Sequence, residues 1–379
     1  MSGIAVLRRV SAFAHLWLGL YAGAAVCLIA LSGAIVTFRP QIATALSPPA
    51  RQGACNTPID WTRAQQQVEA ATGSGVNRIY APTGDDPRYH FRMRTPTDAI
   101  YTHVIYDACA GAVLGTARLE WLDWIVDLHH NLLAERTGRQ VVGAIGVVLL
   151  VSSLSGALLV LLARPTLRRL FTVNTGNASR ASYDLHRVLG AVAVLLLTVQ
   201  AVTGSAVSFG AAFRWMVGTV ASVGTDPRPG RATKDAGGTA TLGAVLAAAE
   251  TAIPGARVRE IRMPGGYGTV QVRMWKTGDF RSLGNNVAFV DRGTARVLAV
   301  DRYDDRPGGS RFLQAMAGLH YAEWGGLTYR VLYGLTGAVV APLFVTGASF
   351  WWSRRRVRAS RPRPANEPST PASPLPHRV

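Results

Sequence analysis

Lysine is almost missing from this chain. It occurs only at Lys234 and Lys276, so nearly all of a formal net charge of +18 is carried by arginine. Charged residues fill only 16% of the 379 positions, against 49% for apolar ones. That is too little charge for an ordinary soluble protein. The arginines sit beside apolar runs, a placement that suits membrane orientation and not a phosphate backbone, so no nucleic-acid partner is expected. Cysteine is scarce too. None of the three forms CxxC or CxxCH, which excludes a cysteine zinc site and covalent c-type haem attachment. No glycine-rich dinucleotide fingerprint follows a strand, so the chain brings no flavin or nicotinamide domain of its own.

What is present is a set of four apolar runs, 13–38, 141–163, 188–213 and 331–352, each long enough for a bilayer core that needs about 20 helical residues. Arg8 and Arg9 precede the first run as they would a signal peptide. The run is too long for one and its pattern recurs later, so it is expected to be retained as a span. Arg8 and Arg9, the cluster Arg164, Arg168, Arg169 and Arg180, and the arginines from Arg354 to Arg363 all fall on one side of the four runs. By the positive-inside rule both termini are cytoplasmic and the long connections, 39–140 and 214–330, lie outside.

The expected division is a cytoplasmic N-terminus and first span (1–38), an external module (39–120), an interfacial helix and second span (121–163), and a basic loop (164–187). A third span (188–213), a second external module (214–310), an interfacial helix and fourth span (311–352), and a disordered basic tail (353–379) complete it. Cys27 falls inside the first span. Cys55 and Cys109 share the first external segment, where oxidation is permitted. A disulfide between them is expected to contribute about 4 kcal/mol in the chain-entropy model.

The spans repeat. HLWLGLYAGAAVCLIALSGAIVTF from His15 aligns with HRVLGAVAVLLLTVQAVTGSAVSF from His186, matching Gly19 with Gly190, Ser32-Gly33 with Thr203-Gly204, and Phe38 with Phe209. The stretch from Leu128 aligns with that from Leu319, matching His129 with His320, Arg139 with Arg330, Gly143 with Gly334, and Ser155-Gly156 with Thr346-Gly347. The fold expected is an α-helical membrane protein, a tandem two-span repeat with two small α+β external modules. In the modules, helices are expected at 60–72 and 241–251. Strands are expected at 88–94, 101–106, 257–263, 269–275, 286–290 and 296–300.

The repeat puts His15 and His186 at the cytoplasmic ends of two spans, and His129 and His320 on short external helices broken from spans two and four near Gly138 and Gly325-Gly326. Trp121, Trp124 and Trp324 suit an interfacial position. The histidines admit two readings. One is structural hydrogen bonding at the interface. The other is two pairs of axial ligands, each pair holding one haem iron between facing helices. Gly19, Gly23 and Gly190 would leave room for a flat macrocycle, and Arg139 and Arg330 would pair with propionates or with headgroups. Zinc fits less well, because the nearby carboxylates Asp127, Asp184 and Glu323 are not repeated. His130 competes with His129 but has Tyr321 as its repeat partner. His90 and His103 have no counterparts and are expected at the surface.

The motifs LHxxLL, YDLHRxxG and the terminal TGxxxW resemble the PepSY-associated transmembrane family, over nearly the whole chain to about residue 353. VIYDACAGAVLG (104–115) is similar to the Asp-x-x-x-Gly turn of a PepSY module, and VDRGTARVL (290–298) to a degraded copy. The resemblance includes iron-regulated membrane proteins and ferric-siderophore reductases of the bacterial inner membrane. It implies two b-type haems on His15, His186, His129 and His320. Electrons from an unidentified cytoplasmic-side donor would then reach a ferric siderophore or other chelate in the periplasm. No side chain stands out as catalytic. A non-redox binding or peptidase-regulatory protein, and a chelate permease, are the alternatives.

Overall fold

The computed structural model describes residues 3–50, 58–82, 86–94, 101–225, 240–264 and 268–359. Cys55, His377 and the tail beyond 359 lie outside them; Cys109 is disulfide-bonded and Cys27 is a free thiol.

The chain opens with α1 (Gly3–Tyr21), α2 (Gly23–Thr37) and α3 (Arg39–Leu46), then α4 (Trp61–Thr72). Four strands follow: β1 (Val76–Tyr80), β2 (Arg88–Met93), β3 (Thr102–Asp107) and β4 (Ala112–Ala117). Next come α5 (Glu120–Asn131), α6 (Glu135–Ala163), α7 (Leu167–Phe171), α8 (Ala178–Ser208), α9 (Gly210–Gly218) and α10 (Leu242–Ala252). The strands β5 (Arg257–Arg262), β6 (Thr269–Trp275), β7 (Asn286–Asp291) and β8 (Val297–Asp301) lead into α11 (Gly308–His320), α12 (Gly326–Ala338) and α13 (Val340–Ala359).

Among the described residues, four helices are long and apolar enough to cross a membrane: Gly3–Tyr21, Glu135–Ala163, Ala178–Ser208 and Gly326–Val357. The pair α2 and α3, bent by 56°, adds a fifth if taken as one span. The expected first span, 13–38, therefore straddles two helices that meet at Ala22. This break adjoins Gly23, where the Phe344 ring occupies the space a β-carbon would take. The expected room for a macrocycle at Gly23 is thus already filled. An added β-carbon would meet nothing within 4 Å at Gly19 and only Leu343 Cδ2, 3.8 Å away, at Gly190. Phe38 packs on Gly334 and Phe209 on Gly143, the aromatic ring filling the glycine gap in both cases. A small apolar cluster of Val26, Ala193, Leu197 and Val340 occupies the bundle centre.

Outside the bundle the described strands form one eight-stranded antiparallel sheet, ordered β4-β3-β2-β1-β5-β6-β7-β8. The expected pair of modules is thus fused edge to edge, through β1 and β5. Asp60 caps α4 by accepting from Arg63 N, and Thr241 caps α10 by accepting from Ala244 N. Both helices lie on one sheet face, where Val68, Ile79, Phe91, Leu246, Ile261 and Val272 form the core. Because side chains alternate along a strand, the other face carries the polar set, including Arg78, Tyr80, Glu260 and Arg262.

The strand expectations match β2, β3 and β5 to β8 within a residue or two, but β1 and β4 are new. The buried residues of β1, Val76 and Ile79, are three apart because the register shifts between Val76 and Arg78, and that bulge hides the period of two. The two Asp-led turns share a geometry. Asp107 Oδ1 accepts from Cys109 N and Ala110 N, and Gly111 closes the turn at φ 60°. Asp291 Oδ1 accepts from Gly293 N and Thr294 N, and Ala295 takes the closing position at φ 57°.

Candidate functional site

Four histidines are brought together in two pairs. The imidazole centroids of His15 and His186 are 5.8 Å apart with ring planes at 78°, and those of His129 and His320 are 6.2 Å apart at 16°. The pairs occupy two levels of the bundle. His186 is on α8, and Thr203 of the same helix, 17 residues on or about 25 Å along it, touches His320.

Three of the four rings are held in the same way. His15 Nδ1 donates to the Ser152 carbonyl at 2.9 Å, His186 Nδ1 to that of Leu343 at 2.8 Å, and His129 Nδ1 to that of Ile29 at 2.9 Å. A hydroxyl three residues beyond each carbonyl lies within 3.4 Å of the same nitrogen: Ser155, Thr346 and Ser32. His320 Nδ1 has Thr203 Oγ1 at 3.3 Å and the Tyr333 hydroxyl at 3.4 Å. The Ser and Thr hydroxyls themselves donate to helix carbonyls one turn back, which leaves a lone pair for the imidazole N–H.

The residue after each hydroxyl is the glycine of the Ser/Thr-Gly pairs. A β-carbon at Gly33, Gly156, Gly204 or Gly347 would stand 2.6 to 3.2 Å from the Cε1 of His129, His15, His320 or His186 respectively. The pairs therefore seat the imidazoles. The sequence marked them as aligned positions and gave no sign of their partners.

With Nδ1 committed as a donor, Nε2 is the lone-pair nitrogen, the tautomer a metal ligand needs. Two imidazoles binding one ion from opposite sides at about 2 Å each place their centroids roughly 6 Å apart, which both pairs match. Rotation about the metal–nitrogen bond tolerates either interplanar angle. The donor set does not suit zinc. Among the described residues no group of three His, Cys, Asp or Glu side chains converges. Asp184 is taken by Arg180 and Arg187, Glu323 by Arg281, and Asp127 is exposed.

The break before α6 does not occur at Gly138. It falls at Leu132, Leu133 and Glu135, all in left-handed backbone. Gly138 is required for another reason, since an added β-carbon would collide with the Asn131 carbonyl. The second break is where expected, with Gly325 and Gly326 at φ 69° and 63°. Trp121, Trp124 and Trp324 are exposed.

Contrary to the surface position expected for both, His103 is buried, and His90 is half-buried and lines the cavity between the sheet and the bundle. His103 is 2% exposed, and its Nε2 lies 2.7 Å from Asp123 Oδ2, while Arg39 donates to Asp123 Oδ1 at 2.9 Å. This network ties sheet and α3 to α5, the helix that carries His129. Burial opposes ionisation of Asp123, but the hydrogen bond from His103 and the Arg39 charge hold its pKa below the usual carboxylate value. Arg39 and Asp123 carried no recognisable signal in the sequence.

A cavity of about 1260 Å³ lies between the polar sheet face and the bundle, and it reaches His129, His130 and His320. Arg139 and Arg330 both line it. The Nε of Arg330 is buried without a hydrogen-bond partner. His130 lies 5.7 Å from His129 and faces the cavity, but His129 is the member seated on α2 opposite His320.

No curated protein matches the chain. The family model for the PepSY-associated TM region matches residues 12–354, across α1 to α13. A match over that length, on a bundle of apolar helices that carries an antiparallel sheet, makes this chain a member of the PepSY-associated transmembrane family.

Proposed function

We propose that the protein is a dihaem b-type oxidoreductase of the bacterial inner membrane that moves electrons outward to a ferric chelate. The observation that carries this reading is the seating of four imidazoles, each with Nδ1 occupied and Nε2 available, in two pairs about one metal-ligand span apart. Two haems, when bound, would supply one-electron carriers at the two levels. His15 and His186 would hold one near the arginine-rich, cytoplasmic end. His129 and His320 would hold the other near the periplasmic sheet, with Arg139 and Arg330 lining the cavity beside it.

The chain's own residues do the rest. The apolar cluster around Val26, Leu197 and Val340 keeps water out between the levels. The cavity brings a periplasmic ligand towards His129 and His320. Reduction would release the metal, because hard-oxygen chelators hold Fe(II) far less tightly than Fe(III). The two halves of the chain are read as copies of one unit, supported by the repeated histidine seats and the repeated Phe-on-Gly contacts. The electron donor is a separate component.

Purified from haem-replete cells, the protein should be red, with a Soret band and an α-band that sharpens on dithionite. A colourless preparation would end this reading and leave a non-redox binding protein.

A further inference from the structure

The seam of the sheet carries an uncompensated row of positive charge. Across β1 and β5, Arg78 is paired directly with Arg262, and Tyr80 with Glu260. Across β5 and β6, Glu260 is paired with Arg273. Glu260 is 1% exposed and holds all three guanidiniums, with Arg78 at 3.2 Å, Arg262 at 3.0 Å and Arg273 at 3.3 Å. Burial opposes its ionisation, but the charges of Arg262, Arg78 and Arg273 keep its pKa low. One carboxylate against three guanidiniums leaves two positive charges in excess. The Nε atoms of Arg78 and Arg273 are buried with no hydrogen-bond partner.

Like charges set directly opposite each other destabilise a sheet, and a buried guanidinium N–H left without an acceptor adds to that cost. A fold that sustains this arrangement on the wall of a large cavity has it to meet an anion. Glu260 gathers the three guanidiniums on one wall of the cavity, where their remaining N–H groups can meet carboxylate oxygens. The same cavity reaches His129 and His320, so a ligand held by the arginines would sit beside the external histidine pair.

We infer that Arg78, Arg262 and Arg273 bind the carboxylates of an anionic ferric chelate, so that the site selects polycarboxylate or hydroxycarboxylate iron complexes over neutral or cationic ones. The ferric part of this statement rests on the reductase reading; the anion site does not.

The test uses full-length protein in nanodiscs and gallium(III) citrate, a redox-inert stand-in for ferric citrate, titrated calorimetrically. A neutral gallium(III) trihydroxamate serves as the comparison. Wild type should bind the citrate complex, more weakly as salt rises, and prefer it to the neutral complex. Arg78→Gln with Arg262→Gln should weaken citrate binding at least about tenfold while leaving haem content unchanged. Arg78→Lys with Arg262→Lys keeps the charge without the fork, covers the case in which the glutamine variant misfolds, and should give an intermediate loss. The proposal falls if wild type does not bind the citrate complex, binds the neutral one as well, or is unaffected by both double substitutions. It also falls if either substitution releases haem, which would make the row a propionate site. Fe(II) formation from ferric citrate, followed with a chromogenic chelator, is scored separately. Citrate binding without Fe(II) formation upholds the anion site and overturns the reductase reading.

Discussion

Gly33 lies against the edge of His129, where a β-carbon would stand 2.6 Å from the imidazole Cε1. That contact cannot be relieved without moving the ring or the α2 backbone. Gly33→Ala, and likewise Gly204→Ala beside His320, should therefore cost about one haem equivalent per protein while sparing the other pair. Gly218→Ala, where nothing lies within 4 Å, is the control. Pyridine haemochrome quantification gives the answer, and full haem content in Gly33→Ala would show that this seat is not a ligand seat.

The two histidine levels should be separable. His15→Ala and His320→Ala should each remove about one haem, and the haem that remains should differ in its α-band and potential between the two variants. Loss of both haems from one substitution in a protein that is still folded would contradict the two-level assignment.

The turn closed by Ala295 should improve with glycine. Ala295 holds φ 57°, the conformation that Gly111 takes at φ 60° in the other turn. A left-handed alanine costs about 1 kcal/mol relative to glycine, so Ala295→Gly should raise the thermal midpoint and Gly111→Ala should lower it. Equal midpoints for all three proteins would mean that these turns open before the cooperative transition.

His90 should make stability depend on pH. Burial, then repulsion from His103 and Arg88, lowers its pKa to about 4; Arg39 adds to this and Asp86 opposes it. The unfolded chain binds the proton near pH 6.5, before the folded one does. Stability should therefore fall as pH drops from about 6.5 to about 4 and level off below. His90→Gln should flatten that slope by roughly 2–3 kcal/mol. Thermal midpoints at pH 7 and pH 4.5 measure it, and an unchanged slope would remove His90 as the source.

The pattern of apolar runs, arginines and aligned histidines was legible because each is a local property of the sequence. The helices at 60–72 and 241–251 and most of the strands could be read from local pattern. What stayed hidden was whatever depends on two distant elements meeting. The bulge in β1 masked its alternation, so the β1–β5 seam could not be foreseen, nor the opposition of Arg78 and Arg262. The burial of His103 depends on Asp123 arriving from α5. The Ser/Thr-Gly pairs were visible as aligned positions, but that they hold imidazoles is a fact about other helices.

The β1–β5 seam also bears on motion. A carrier that alternates access must rock one half of its bundle against the other. Here each half is rooted in the same sheet, and the seam's Ile79 and Ile261 are both buried under α4 and α10. Rocking would tear that pairing open and strand two edges. The sheet acts as a rigid yoke across the two halves. Such a yoke would suit the proposed reductase, in which the two histidine pairs must keep a fixed spacing.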